Sequence, residues 1–174
     1  MILLTVNLLF STLVFWIAAR IYVLPKLKEL RPQAVLLPIL LLHGLRHLGL
    51  MFLAPGAVYP GMPVEFARPA AFGDLLAAVL AVLAIPAVVA GSSAARVLVL
   101  AFNLEGTVDL ISAIVMANMH GVAPYMGAAY WIPSFWVPAL LVTHYMTFLV
   151  LRHHWNAAAW RRDGAPSGGT RRTA

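Results

Sequence analysis

Residues 36–53, LLPILLLHGLRHLGLMFL, are apolar apart from His43, Arg46 and His47. Positions i, i+3 and i+4 lie on one face of an α-helix, so this spacing predicts a polar stripe along an otherwise lipid-soluble segment. Two imidazoles at i and i+4 can grip one metal ion, with His144, Glu105 or Asp109 completing the set. A haem would instead take one axial histidine from each of two helices, such as His43 or His47 with His144. Arg46 opposes a bare divalent metal nearby but suits a haem propionate. The metal candidates are therefore His43, His47 and His144. Glu105 and Asp109 are four apart and share a helix face. With His144 they form the candidate catalytic set, because carboxylates and imidazoles in a dry pocket can act as general acid and base. His43, Arg46, His47, Glu105, Asp109 and His144 together are the candidate contacts for a ligand.

These side chains sit in a chain of 174 residues that is 62% hydrophobic and 10% charged, far from the usual makeup of a soluble domain. The composition predicts an integral membrane protein. Lys and Arg number 12 against 6 Asp and Glu, a net charge of +6. That excess lies at the ends of apolar segments and in the C-terminal tail, which points to the bilayer surface and away from nucleic acid. The chain has no cysteine, so disulfides, thiolate metal sites and c-type haem attachment are excluded. No P-loop, dinucleotide fingerprint or GxSxG nucleophile motif occurs.

The elements that must position the polar groups are five apolar segments, at about 2–24, 34–54, 71–90, 97–119 and 132–151. Each approaches the roughly 20 residues that cross a hydrocarbon core about 30 Å thick. The expected fold is thus an all-α integral membrane bundle of five transmembrane helices. The first segment has no basic residue ahead of its apolar run and no clean small-x-small cleavage site, so it reads as a retained span rather than a secretory signal. PGAVYPGMPVEFARP, residues 55–69, has four prolines and two glycines and reads as an extramembrane loop. Lys26, Lys28, Arg31, Arg96 and Arg152 fall on one side of a five-span bundle, with Arg68 and Glu65 on the other. Cytoplasmic loops collect Lys and Arg, so the N-terminus is expected outside and the C-terminus in the cytoplasm, in a multi-pass protein of the inner (plasma) membrane. Tyr59, Tyr125, Tyr130 and Trp131 would mark the outer interface, and Trp155 and Trp160 the inner one. Residues 1–152 form the expected transmembrane domain. Residues 153–174 read as an interfacial amphipathic segment followed by a disordered basic tail.

Counting depth at about 1.5 Å per residue puts His43, Arg46, His47, Glu105, Asp109 and His144 in one slab about 10 Å thick. A charge at mid-bilayer costs about 2.5 to 3.5 kcal/mol on insertion scales, so these groups need partners. Arg46 can pair with one carboxylate in bidentate geometry; the carboxylate left over must be protonated, face a histidinium or meet a bound cation. Asp74, at the start of the third segment, reads as an N-terminal helix cap near the outer interface. Asn7 and Ser11 read as helix-packing contacts, and Gly44, Gly49, Gly106 and Ala113 as small residues that allow close helix approach or leave room for a ligand. The leading expectation is a buried site that binds a lipid-like molecule or a cofactor, with acid/base chemistry as its extension. Beside it stand a haem or metal redox subunit, a path for protons or solute, and a structural subunit of an oligomer or larger membrane complex whose polar cluster only sets helix register.

Overall fold

The computed structural model describes residues 2–154, and the expected interfacial segment and tail, with Trp155 and Trp160, lie outside them from residue 155 onward. Five helices are long and apolar enough to cross a membrane, and no strand occurs among the described residues. They are α1 (Ile2–Tyr22), α2 (Pro32–Gly44) continued by a 3-10 segment (Leu45–Leu53), α3 (Val64–Ala90), α4 (Ala94–Met119) and α5 (Val137–His153). A π-helical turn, Ile132–Trp136, leads into α5.

Two boundaries differ from the sequence expectation, and both bear on the site. The third span starts at Val64, so residues 64–69 are helix and the loop ends at Pro63. Pro63 supplies the turn with its fixed φ of −59°, and Pro69 falls inside the helix near its start, where its missing N–H removes one backbone bond. Asp74 is consequently ten residues into α3, about 15 Å from its start, and not at its cap. The second span is α-helical only as far as Gly44 and then tightens to three residues per turn. Arg46, Gly49 and Phe52, spaced by three, are the buried residues of that 3-10 segment. At the other end of α3, Gly91 takes the left-handed conformation (φ 63°) and Ser92 N–H bonds Ala87 O at 3.0 Å, closing the helix and turning the chain into α4.

Two apolar clusters build the core. One contains Leu36, Leu40, Val88, Val99, Phe102 and Val150, and the other contains Phe52, Phe66, Leu110, Met126 and Leu140. In α2 with its 3-10 extension, and again in α3 and α4, the polar residues lie between the positions that feed these clusters. Helix α1 is peripheral, burying only Leu4 and Ala19 and exposing Leu9, Phe10, Leu13 and Ile17. Such a face suits hydrocarbon, where apolar side chains need no cover. It is tied to the C-terminal part of the bundle by edge-on ring contacts, Phe15 with Phe135 and Trp16 with Tyr145, and by Asn7 Nδ2 donating to Tyr130 Oη at 3.2 Å.

Candidate functional site

Arg46 is 1% exposed and lies at the centre of the bundle. Its Nε donates to Asp74 Oδ1 at 2.7 Å, and its Nη2 to Asp109 Oδ2 at 2.5 Å. Its Nη1 donates to Gly106 O and faces His144 Nε2, each at 3.3 Å. The planar fork thus reaches α3, α4 and α5 at once, which a point charge on a flexible stem could not do. The expected bidentate pair with one carboxylate is replaced by a bridge between two aspartates, one oxygen from each. The helix-cap reading of Asp74 fails because α3 begins ten residues earlier.

The histidines form a second layer. His144 Nδ1 is 2.8 Å from Asn103 Oδ1. Arg46 has only donors, so His144 Nε2 must accept from it, and Nδ1 then carries the proton given to Asn103. His43 Nε2 lies 2.9 Å from Thr143 Oγ1, whose own proton goes to the carbonyls of Ala139 (2.9 Å) and Leu140 (3.0 Å). His43 is therefore the donor in that pair, leaving Nδ1 bare and without a partner in a fully buried ring. The His43 and His144 rings meet edge to face with centroids 4.3 Å apart, and Phe102 packs on both.

The six side chains singled out by spacing do not all converge. His43, Arg46, Asp109 and His144 do. His47 is exposed, with Nδ1 donating to Gly44 O at 3.1 Å. The reason is the tightened coil: at three residues per turn, i+3 eclipses i, while i+4 swings about 120° away. Glu105 is half-buried beside the cluster, outside the two Arg46 ion pairs, and its Oε2 is buried without a partner. Asn103 and Gly73 were not picked out by spacing. Glycines let the charged groups close in: a Cβ at Gly49 would collide with Asp74, one at Gly73 with Asp109, and one at Gly106 would lie 2.5 Å from Arg46 Nη1 and 2.6 Å from His144 Cε1. Gly73, adjacent to Asp74 in a span otherwise rich in alanine, was the available signal.

Metal and haem readings fit this arrangement poorly. Among the described residues no group of three or more His, Asp or Glu side chains is set to hold a metal ion. The His43–His47 pair is split by the 3-10 turn, and both nitrogens of His144 are engaged. His43 and His144 are in ring contact, so no macrocycle can lie between them as axial ligands.

Space for a ligand lies to one side of the charged cluster. A cavity of about 430 Å³ runs between α1 and α5, walled by Ala18, Ala19 and Tyr22 on one side and Phe135, Ala139 and Thr143 on the other. Leu42 also lines it, and its wall is almost wholly apolar. Thr143 is the hydroxyl that holds His43, so the groove and the buried network share one side chain. Near Asp74 a crevice of about 40 Å³ opens among Phe66, Leu110, Met126 and Ile132.

The sequence profile of the family described as Domain of unknown function (DUF8737) matches residues 3–152, and the chain belongs to that family. Neither the curated proteins nor the solved structures compared with it include a match.

Proposed function

We propose that this family member is a multi-pass protein of the inner (plasma) membrane that binds a lipid-like molecule in the groove between α1 and α5. The carrying observation is the cavity of about 430 Å³, within the range of ligand sites, whose almost wholly apolar wall includes Thr143, the residue whose hydroxyl is turned to His43. The ionisable groups stand behind this wall and not in it. Arg46, Asp74, Asp109 and His144 hold the 3-10 segment, α3, α4 and α5 together, while α1 contributes nothing to that network. The groove therefore lies between a four-helix body clamped by ion pairs and a peripheral helix held by ring contacts and the Asn7–Tyr130 hydrogen bond. That favours entry of an apolar molecule from the bilayer over chemistry on a soluble substrate.

The proposed orientation has the N-terminus outside and the C-terminus in the cytoplasm. Exposed Lys26, Lys28 and Arg31 after α1, and Arg152 at the end of α5, support it. Active periplasmic reporter fused to the C-terminus, with an inactive cytoplasmic one, would reverse the assignment.

Native mass spectrometry in mild detergent tests the binding. Wild-type chain should carry one lipid-sized adduct and show no visible absorption band, and Ala139→Trp, which fills the groove, should remove the adduct. A bare mass for wild type, or an adduct unchanged in Ala139→Trp, defeats the proposal. A haem-like spectrum would revive the redox reading.

A further inference from the structure

We infer that the groove takes a single hydrocarbon tail of an anionic membrane lipid, whose headgroup is met by Arg20 near the end of α1 and Lys26 in the 3-10 turn that follows it. The inference rests on the groove reading above and adds the lipid's class and its direction.

The wall excludes a headgroup from the groove itself. Its residues are alanines, aromatics and aliphatics, and Thr143 already spends its hydroxyl on His43 and on the carbonyls of Ala139 and Leu140. A charged phosphate placed there would lose its water and find at most the Tyr22 hydroxyl at the mouth and the buried Trp136 Nε1–H in return. The two ends of the groove differ. Toward the middle of α1, Phe15 meets Phe135 edge-on at 5.4 Å and narrows it. At the other end the lining continues through Tyr22 and Val23, Tyr22 being 72% exposed, to the end of α1. Phe15 to Val23 spans eight residues, about 12 Å of helix, close to the roughly 15 Å thickness of one leaflet's hydrocarbon. A tail entering at Val23 would thus pass Thr143 and end against Phe15 and Phe135.

Charge at the open end is one-sided. Arg20 adjoins the lining Ala19, and Lys26 lies three residues past the lining Val23; both are exposed. Lys28 and Arg31 follow, against the single acid Glu29. Long basic side chains lay their stems on apolar surface and lift the charge to the interface, where an anionic phosphate sits.

Lipid competition on the purified full chain provides the test, with native mass spectrometry as the readout and phosphatidylglycerol or phosphatidylcholine as probes. The expected result is one bound lipid, with phosphatidylglycerol preferred. Arg20→Gln with Lys26→Gln should reduce that preference by about five-fold for each charge removed, while one adduct of either lipid still binds. Ala139→Trp should abolish binding of both, and Ala18→Leu on the facing wall should weaken both if the tryptophan variant fails to fold. Equal binding of the two lipids to wild type, or a preference untouched by the double charge removal, overturns the anionic-lipid inference and leaves the groove standing. Undiminished binding in both groove-filling variants overturns the groove as well.

Discussion

Replacing Gly106 by alanine adds one methyl group in the middle of α4. On an exposed helix surface that change stabilises by about 1 kcal/mol, because glycine costs more backbone entropy. Here the new Cβ would lie 2.5 Å from Arg46 Nη1, 2.6 Å from His144 Cε1 and 2.7 Å from His144 Nε2, so neither side chain can stay where it is. Overpacking a filled core costs about 1 to 3 kcal/mol. If the Arg46 fork is pushed off one aspartate, a buried charge loses its partner, which costs about 3 to 5 kcal/mol. Set against the propensity gain of about 1 kcal/mol, overpacking alone leaves a loss of up to about 2 kcal/mol, and displacement of the fork a loss of about 2 to 4 kcal/mol. Gly44→Ala is the matched control, since its Cβ would meet only Val82 Cγ2 at an ordinary 3.4 Å. Thermal unfolding of the two variants in the same detergent, followed by size-exclusion of a fluorescent fusion, reads the difference. Gly106→Ala should melt well below wild type and Gly44→Ala at or above it. Should Gly106→Ala prove as stable as Gly44→Ala, Arg46 and His144 are not packed against α4 as described, and the account of the cluster fails.

Further outcomes follow from the same contacts. Arg46→Lys keeps the charge but has one ammonium where the fork reached both Asp74 and Asp109, so it should destabilise by about 3 kcal/mol in the same melting assay; wild-type stability would contradict a bridging role. Asp74→Asn should destabilise by about 3 kcal/mol, since it removes a buried ion-pair partner of Arg46, and unchanged melting would contradict the ion pair. His47→Ala should change stability by less than about 0.5 kcal/mol, because the side chain is exposed and bonds only its own turn. Asn103→Leu should destabilise by about 1 to 3 kcal/mol by orphaning His144 Nδ1–H, with unchanged melting as the refuting result.

Much of this was legible in the residues. Runs of about 20 apolar positions punctuated by Pro, Gly and charge can bury their backbone in lipid only as helices, so five helices and an all-α class needed no coordinates. The cost of a guanidinium at mid-bilayer likewise required acids near Arg46, and Asp109 four residues from Glu105 was found from spacing alone. Its partners were a different matter. Asp74 reads as a cap in the sequence because a Pro-rich stretch conceals a helix start at Val64, and local sequence cannot show how much neighbouring helices will tolerate. His47 joins the set only under regular α geometry, which Leu45–Leu53 does not keep. Only packing against α3, where Gly49 admits Asp74, reveals that the coil tightens and turns this side chain outward.

What the sequence determined by itself is the set of quantities that depend on counting: the apolar lengths, the surplus of basic over acidic residues and the excess of acids over a single arginine in the middle of the apolar spans. What the tertiary structure alone decided is which acids meet that arginine, which histidine nitrogens carry protons, and that the open space lies between α1 and α5 instead of within the charged cluster. The division has a physical cause. Burial and charge are sums over residues and survive without geometry, whereas hydrogen bonds and cavities depend on ångström-scale distances between helices far apart in the chain.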